Sequence, residues 1–206
     1  MWKELLKFPF YVTVHPFKGF WDLKYDNKGR VAIALAILFL VSVAVMYQYQ
    51  YSGFVVNKHH PNSFNSLIQL RNVILPFFLW CVANWSLTTL MDGEGKFKEI
   101  VVASAYAMLP IFLLFIPSAF YSRFITVEES AFYYYLNSFA IVWFLYLLFV
   151  ATMTVHQYTV LKTLTTIFLT IVCMGFIVFL CMLFFSLVQQ MYSFVFTIYK
   201  ELQFRG

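Results

Sequence analysis

Ser130–Leu161, SAFYYYLNSFAIVWFLYLLFVATMTVHQYTVL, carries no Asp, Glu, Lys or Arg and a single histidine, His156. Four other stretches contain no charged residue and no histidine: Val31–Asn57, Asn72–Met91, Ile100–Ser122 and Thr163–Tyr199. Apart from His156, every Asp, Glu, Lys, Arg and His lies between or outside these five stretches. A helix of about 20 apolar residues crosses the roughly 30 Å hydrocarbon core of a bilayer, and each stretch is long enough to do so. The pattern predicts an all-α integral membrane protein with five transmembrane helices and interfacial segments at both ends.

Composition agrees. The 206-residue chain is 62% hydrophobic and 11% charged, whereas a soluble domain carries about 25% charged residues. Little chain is left for a soluble domain. The expected organisation is an interfacial cytoplasmic segment over residues 1–30, a five-helix membrane domain over 31–190 and an amphipathic extension over 191–206.

Basic residues exceed acidic ones by 14 to 9. No basic cluster is dense enough to track a phosphate backbone, so nucleic acid is not an expected partner. The lysines and arginines serve better as topology signals. With the N-terminus inside, the inner face holds Lys3, Lys7, Lys18, Lys24, Lys28, Arg30, Lys96, Lys98 and Lys162. The outer face holds the smaller set, Lys58, Arg71, Arg123, Lys200 and Arg205. Excess Lys and Arg mark the cytoplasmic side. The expected location is the cell membrane, multi-pass, with the N-terminus cytoplasmic and the C-terminus outside. The first apolar run starts only after residue 30 and has no small-residue cleavage site after it, which reads as a retained signal anchor.

Before the first span, Trp2, Leu5 and Leu6 can share one helical face opposite Lys3, Glu4 and Lys7, and Pro9 and Pro16 are expected to interrupt any helix. Phe17, Phe20, Trp21 and Tyr25 then alternate with charged residues, a composition suited to the membrane–water boundary. The first span is expected to run to about Tyr47, with Tyr47, Tyr49 and Tyr51 as its boundary belt. Pro76 falls in the second span, and Pro110 and Pro117 in the third. The Asp92–Lys96 hairpin joins those two spans. The last uncharged stretch is too long for one crossing, so its exit is placed near Gln189–Gln190. Beyond that point Met191, Phe194, Val195, Ile198 and Leu202 recur at helical spacing opposite Ser193, Thr197, Lys200 and Glu201.

Chemistry-bearing groups are sparse. No carboxylate lies within a predicted span, and His156 falls near the inner end of the fourth, where an interface position outweighs a catalytic or relay role. Adjacent His59 and His60 lack a third ligand, so no metal site is assigned. Cys81, Cys173 and Cys181 lie inside spans without metal spacing and read as packing residues. The Asp92–Lys96 turn has glycines like a phosphate loop but lacks the Walker spacing and the hydroxyl residue after the lysine. Gly93 and Gly95 are read as residues that permit positive φ. Asn84, Ser86, Thr88, Thr89, Ser104, Tyr106, Asn137 and Ser138 could line a solute path, but such groups more often bond between helices. No catalytic residue and no cofactor are expected, so the chain does not read as an enzyme.

Three passages carry a resemblance. They are His15-Pro16-Phe17-Lys18-Gly19-Phe20-Trp21-Asp22-Leu23-Lys24-Tyr25; Asn84-Trp85 followed by Asp92-Gly93-Glu94-Gly95-Lys96-Phe97-Lys98-Glu99; and Ala105-Tyr106-Ala107-Met108-Leu109-Pro110. In order and spacing they resemble the membrane domain of the Yip family (Ypt/Rab-interacting proteins), over nearly the whole chain. Eukaryotic relatives bind Rab-type GTPases. This sequence lacks their long N-terminal region and Asp-Leu-Tyr-Gly-Pro signature, so a Rab-type GTPase is not the expected partner. It is more similar to short bacterial members, which the resemblance associates with carbohydrate uptake. The implied function is a non-catalytic accessory or assembly subunit of a membrane complex, beside the permease subunits of a carbohydrate ABC uptake transporter. A small-solute carrier or channel, with Asn84, Tyr106 and Pro110 near its path, is the alternative. Phe17, Trp21, Asn84, Trp85, Gly93, Gly95, Tyr106 and Pro110 are marked as partner or packing positions. The expected partners are the lipid bilayer and other integral membrane proteins.

Overall fold

In a computed structural model the protein is described over residues 2–26, 28–57 and 65–205, with the backbone alone for residues 2–6, 202 and 205. His59, His60 and Pro61 lie outside the described residues, as do the side chains of Trp2, Leu5, Leu6 and Leu202. Among the described residues eight helices follow one another: α1 (Trp2–Val14), α2 (Pro16–Tyr25), α3 (Val31–Tyr51), α4 (Ser66–Leu90), α5 (Phe97–Ala107), α6 (Leu109–Tyr121), α7 (Ser130–His156) and α8 (Val160–Arg205). Among the described residues there is no β-strand.

Among the described residues five helical units are long and apolar enough to cross a bilayer: α3, α4, α5 with α6, α7 and α8. They correspond in order to the five uncharged stretches. The protein is therefore an all-helical, multi-pass membrane protein. One end of the bundle holds the start of α3, the turn between α4 and α5, and the turn between α7 and α8. There Lys24 Nζ reaches Glu94 Oε2 at 3.0 Å and the Val155 carbonyl at 2.8 Å. At the opposite end, Arg123 Nε donates to the Tyr51 carbonyl at 3.1 Å.

Helix ends and breaks follow local chemistry. Pro9 does not interrupt α1, contrary to the expectation from sequence. The break falls instead at His15 (φ −122°, ψ 70°), because a residue before proline is driven out of the α region, and Pro16 then starts α2. α4 begins before Arg71, at Ser66, because the Asn65 side chain accepts from the Leu67 and Ile68 N–H groups. The third crossing is divided at Met108, two residues before Pro110, whose missing N–H leaves the Tyr106 carbonyl without its regular helical partner. Pro76 and Pro117 remain inside continuous helices.

α5 is the centre of the bundle, with every side chain from Ile100 to Ala107 buried. Small residues there, Ala103, Ser104, Ala105 and Ala107, let α3, α4 and α7 approach closely. α1 and α2 fold back onto this core. Val12 and Phe20 are fully buried, and a Cβ on Gly19 would lie 2.7 Å from the Val12 Cα. Near the far end, Gln48 Nε2 donates to Asn137 Oδ1 at 2.8 Å, and Ser118 Oγ donates to the same oxygen at 2.9 Å, joining α3, α6 and α7. α8 runs without interruption through Gln189–Gln190 and packs mainly on α4.

Candidate functional site: a polar junction at one end of the bundle

Asn84, Gly93 and Gly95 come together with His156, a residue the sequence marks only as an interface position. Asn84 sits late in α4 and His156 is the last residue of α7; both side chains are buried. His156 Nε2 donates to Asn84 Oδ1 at 3.0 Å, which fixes the imidazole proton on Nε2 when the ring is neutral. Asn84 Nδ2 donates to Thr170 Oγ1 on α8 at 3.4 Å, and Thr170 Oγ1 donates onward to the Thr166 carbonyl at 2.7 Å. Thr88 Oγ1 donates to the Asn84 carbonyl at 2.7 Å. One amide thus links three helices. In a low-dielectric interior each of these polar groups needs its partner.

The Asp92–Gly95 turn lies over the imidazole. Neither Gly93 nor Gly95 has a positive φ; the positive φ falls on Asp92 (φ 54°). The reason for glycine is closeness rather than backbone freedom. A Cβ on Gly93 would lie 2.7 Å from both His156 Nδ1 and the Tyr158 hydroxyl, and one on Gly95 would lie 2.6 Å from His156 Cε1. His156 Nδ1 is buried under this turn without a hydrogen-bond partner among the described residues. A void of about 10 Å³ beside Asn84, Ser104, Thr152 and His156 is close to the lower limit for one water.

Tyr158 and Lys24 fasten the rim. The Tyr158 hydroxyl donates to the Met91 carbonyl at 3.0 Å, its ring stacks on His156 at 5.4 Å, and Lys162 Nζ stands 4.3 Å above it. Burial, helped by the negative charge of Asp92, raises the Tyr158 phenol above its ordinary value. Gln157 adopts a left-handed conformation (φ 57°) that ends α7. Lys24 binds one of the carbonyls that the helix end leaves free.

The remaining marked positions lie elsewhere. Phe17 and Trp21 are exposed on α2, where they border a groove of about 240 Å³ with Met153, Thr154, Gln157 and Tyr158. Trp85 is exposed and meets Phe97 edge-on at 5.8 Å. Tyr106 is fully buried and meets Phe8 edge-on at 6.0 Å, and Pro110 is buried at the start of α6. Asn84 spends both amide atoms on helix-to-helix bonds rather than on a passage shared with Tyr106 and Pro110.

Sequence reading missed Lys24 as a tether and the stripe Thr163, Thr166 and Thr170, all fully buried. The stripe's three- and four-residue spacing was a usable signal. Among the described residues no three His, Cys, Asp or Glu side chains are grouped to hold a metal ion.

No curated protein and no solved structure matches this chain. The family model described as "Yip1 domain" matches residues 10–183, taking in the end of α1, all of α2 to α7 and the first half of α8. The chain belongs to the Yip1 domain family.

Proposed function

We propose that this protein is a non-catalytic accessory or assembly subunit of a membrane complex. The observation that carries this reading is α8. Its 46 residues reach about 69 Å at 1.5 Å per residue, more than twice the roughly 30 Å hydrocarbon core. Only its first turns are built into the bundle, through Thr163, Thr166 and Thr170. From Val178 to Glu201 every side chain is exposed, including Phe184, Phe185, Leu187, Met191, Phe194 and Ile198. Lipid covers such a surface inside the bilayer. The part that overshoots it needs another protein, because continuous apolar patches of this extent mark interaction sites.

The polar junction supports the same reading. Apart from His156 Nδ1, its polar groups are bonded to one another, an arrangement that holds helices in register. The resemblance to short bacterial members suggests the partner class, the permease subunits of a carbohydrate ABC uptake transporter. In this reading the protein sits in the cell membrane. α2 and the Asp92–Lys98 turn face the cytoplasm, and the end of α8 projects outward.

The test is purification from native membranes in mild detergent. A stoichiometric membrane partner is expected, and shortening the chain after Gln190 should release it while residues 1–190 remain folded. Recovery of a monodisperse, partner-free protein from both forms would reject the proposal.

A further inference from the structure

A cavity of about 470 Å³ lies within the membrane-spanning part of the bundle, walled by α3 to α8. Its volume is in the range of small-molecule sites. Two polar side chains, Asn72 and Ser104, stand in a wall that is otherwise apolar. Phe77, Ile111 and Leu148 form a buried floor. Leu145 on α7 and Ile171 on α8 line the same cavity yet are 54% and 59% exposed, and Asn72 and Pro76 on α4 are exposed as well, so the cavity opens along α8 toward both α7 and α4. Leu145 and Ile171 lie well inside their apolar helices, so the opening between α7 and α8 faces lipid.

The geometry points to an intramembrane binding site for the acyl chain of a bilayer lipid, which we propose enters between α7 and α8. Three observations select this occupant. Protein interiors close-pack, and a void this large loses dispersion contacts along its whole lining. Water is a poor filler, because each molecule needs two to four polar partners and a space of this volume would take many molecules against a handful of polar groups. Bilayer hydrocarbon is the solvent at the mouth, and its chains match the wall in chemistry. The origin of the gap is also visible. α8 is held to α4 by its threonine stripe and meets α7 only slightly, so it stands off the bundle beyond Thr170. The site does not depend on the accessory-subunit reading, since lipid would fill it with or without a protein partner.

The experiment uses the full chain in liposomes of phosphatidylcholine carrying a photoactivatable diazirine in one acyl chain. Illumination and peptide mass spectrometry then locate the attached lipid. Labelling is expected at the floor, on Ile111 and Leu148, as well as on the outer surface of α8 at Phe179. Ile171→Trp plugs the mouth from an exposed position, so it leaves the fold intact. It should lower floor labelling severalfold and leave Phe179 unchanged. Leu148→Trp, filling the floor itself, should do the same where circular dichroism and elution volume show a folded protein. Label confined to Phe179 and other surface positions in the wild-type chain would overturn the proposal. So would floor labelling that Ile171→Trp leaves unaltered.

Discussion

His156, the last residue of α7, and Asn84, within the last two turns of α4, are joined by a buried hydrogen bond of 3.0 Å. The bond couples the register of α7 to that of α4, and through Thr170 to that of α8. Replacing Asn84 by Ala leaves both His156 Nε2–H and Thr170 Oγ1 without their neighbour. A buried polar group left unsatisfied costs about 1–3 kcal/mol. Asn84→Ala should therefore lower stability to unfolding in detergent by that amount, and Thr170→Ala by less. In a double-mutant cycle, Asn84→Ala and His156→Ala should be clearly non-additive, because each removes the same bond.

Gly93 and Gly95 are where sequence reading and structure part. Glycines in a short charged hairpin suggested backbone freedom, yet the residue with positive φ is Asp92. What excludes a side chain is an imidazole some 60 positions along the chain, and no local pattern announces that. Gly95→Ala should destabilise the protein by about 1–3 kcal/mol, the usual cost of overpacking. Gly175→Ala is the matched control, since nothing lies within 4 Å of a Cβ placed there. It should be neutral or slightly stabilising, as alanine is the better helix former. Equal losses in the two variants would show that glycine's conformational freedom, not contact with His156, is what matters.

Much of the architecture was legible because charge is so costly in hydrocarbon. Five stretches without carboxylate, lysine or arginine became five crossings. The division of the third at Met108, just before Pro110, was not read from the sequence, since Pro76 and Pro117 sit inside continuous helices. The starting points were less legible. Arg71 ended the uncharged stretch, but an arginine can reach out to the interface while its backbone stays helical. Asn65-Ser66 held the better cue, a side chain that caps α4. Asn84 was conspicuous as an amide within an apolar run and His156 as a histidine near the end of another. Their pairing depends on how α4 and α7 lie against each other, and hydropathy does not encode that.

Lys24 makes two contacts of unequal value. Glu94 is mostly exposed, with a side chain at 63%, and exposed ion pairs contribute about 0–1 kcal/mol. The bond to the Val155 carbonyl is charge-assisted, partly buried and placed at a helix C-terminus, where such bonds contribute about 1.5–3 kcal/mol. Lys24→Met should loosen α2 from α7, read as faster amide hydrogen exchange over residues 16–25. Glu94→Gln should change that exchange little.

Tyr158 provides a test by pH. Its phenol titrates above the ordinary value of 10.0, first because burial disfavours the phenolate and second because Asp92 is near. A group whose folded pKa is raised contributes stability that is fully present below the unfolded pKa and lost as pH rises through the folded one. The wild-type protein should therefore lose stability as pH climbs above about 10. Tyr158→Phe cannot ionise. It should start less stable, lacking the bond to the Met91 carbonyl, and should fall less steeply over the same range. Chemical unfolding of both proteins at a series of alkaline pH values measures the two slopes.

The arrangement of ends is open to a direct labelling test. Lys24 meets Glu94 at one end of the bundle, and Arg123 meets Tyr51 at the other. With all five units crossing, as the proposed topology has it, α2 and the end of α8 stand on opposite faces of the membrane. With Cys81, Cys173 and Cys181 replaced by Ala, single cysteines at Lys18 and Lys98 should react with an impermeant maleimide only after the cytoplasmic face is opened. On the proposed topology, with the basic Lys24 end cytoplasmic, cysteines at Arg123 and Lys200 should react in intact cells. Reaction of the Lys18 and Lys200 positions from the same side would mean that α8 does not cross. The proposed outward partner surface would fail with it.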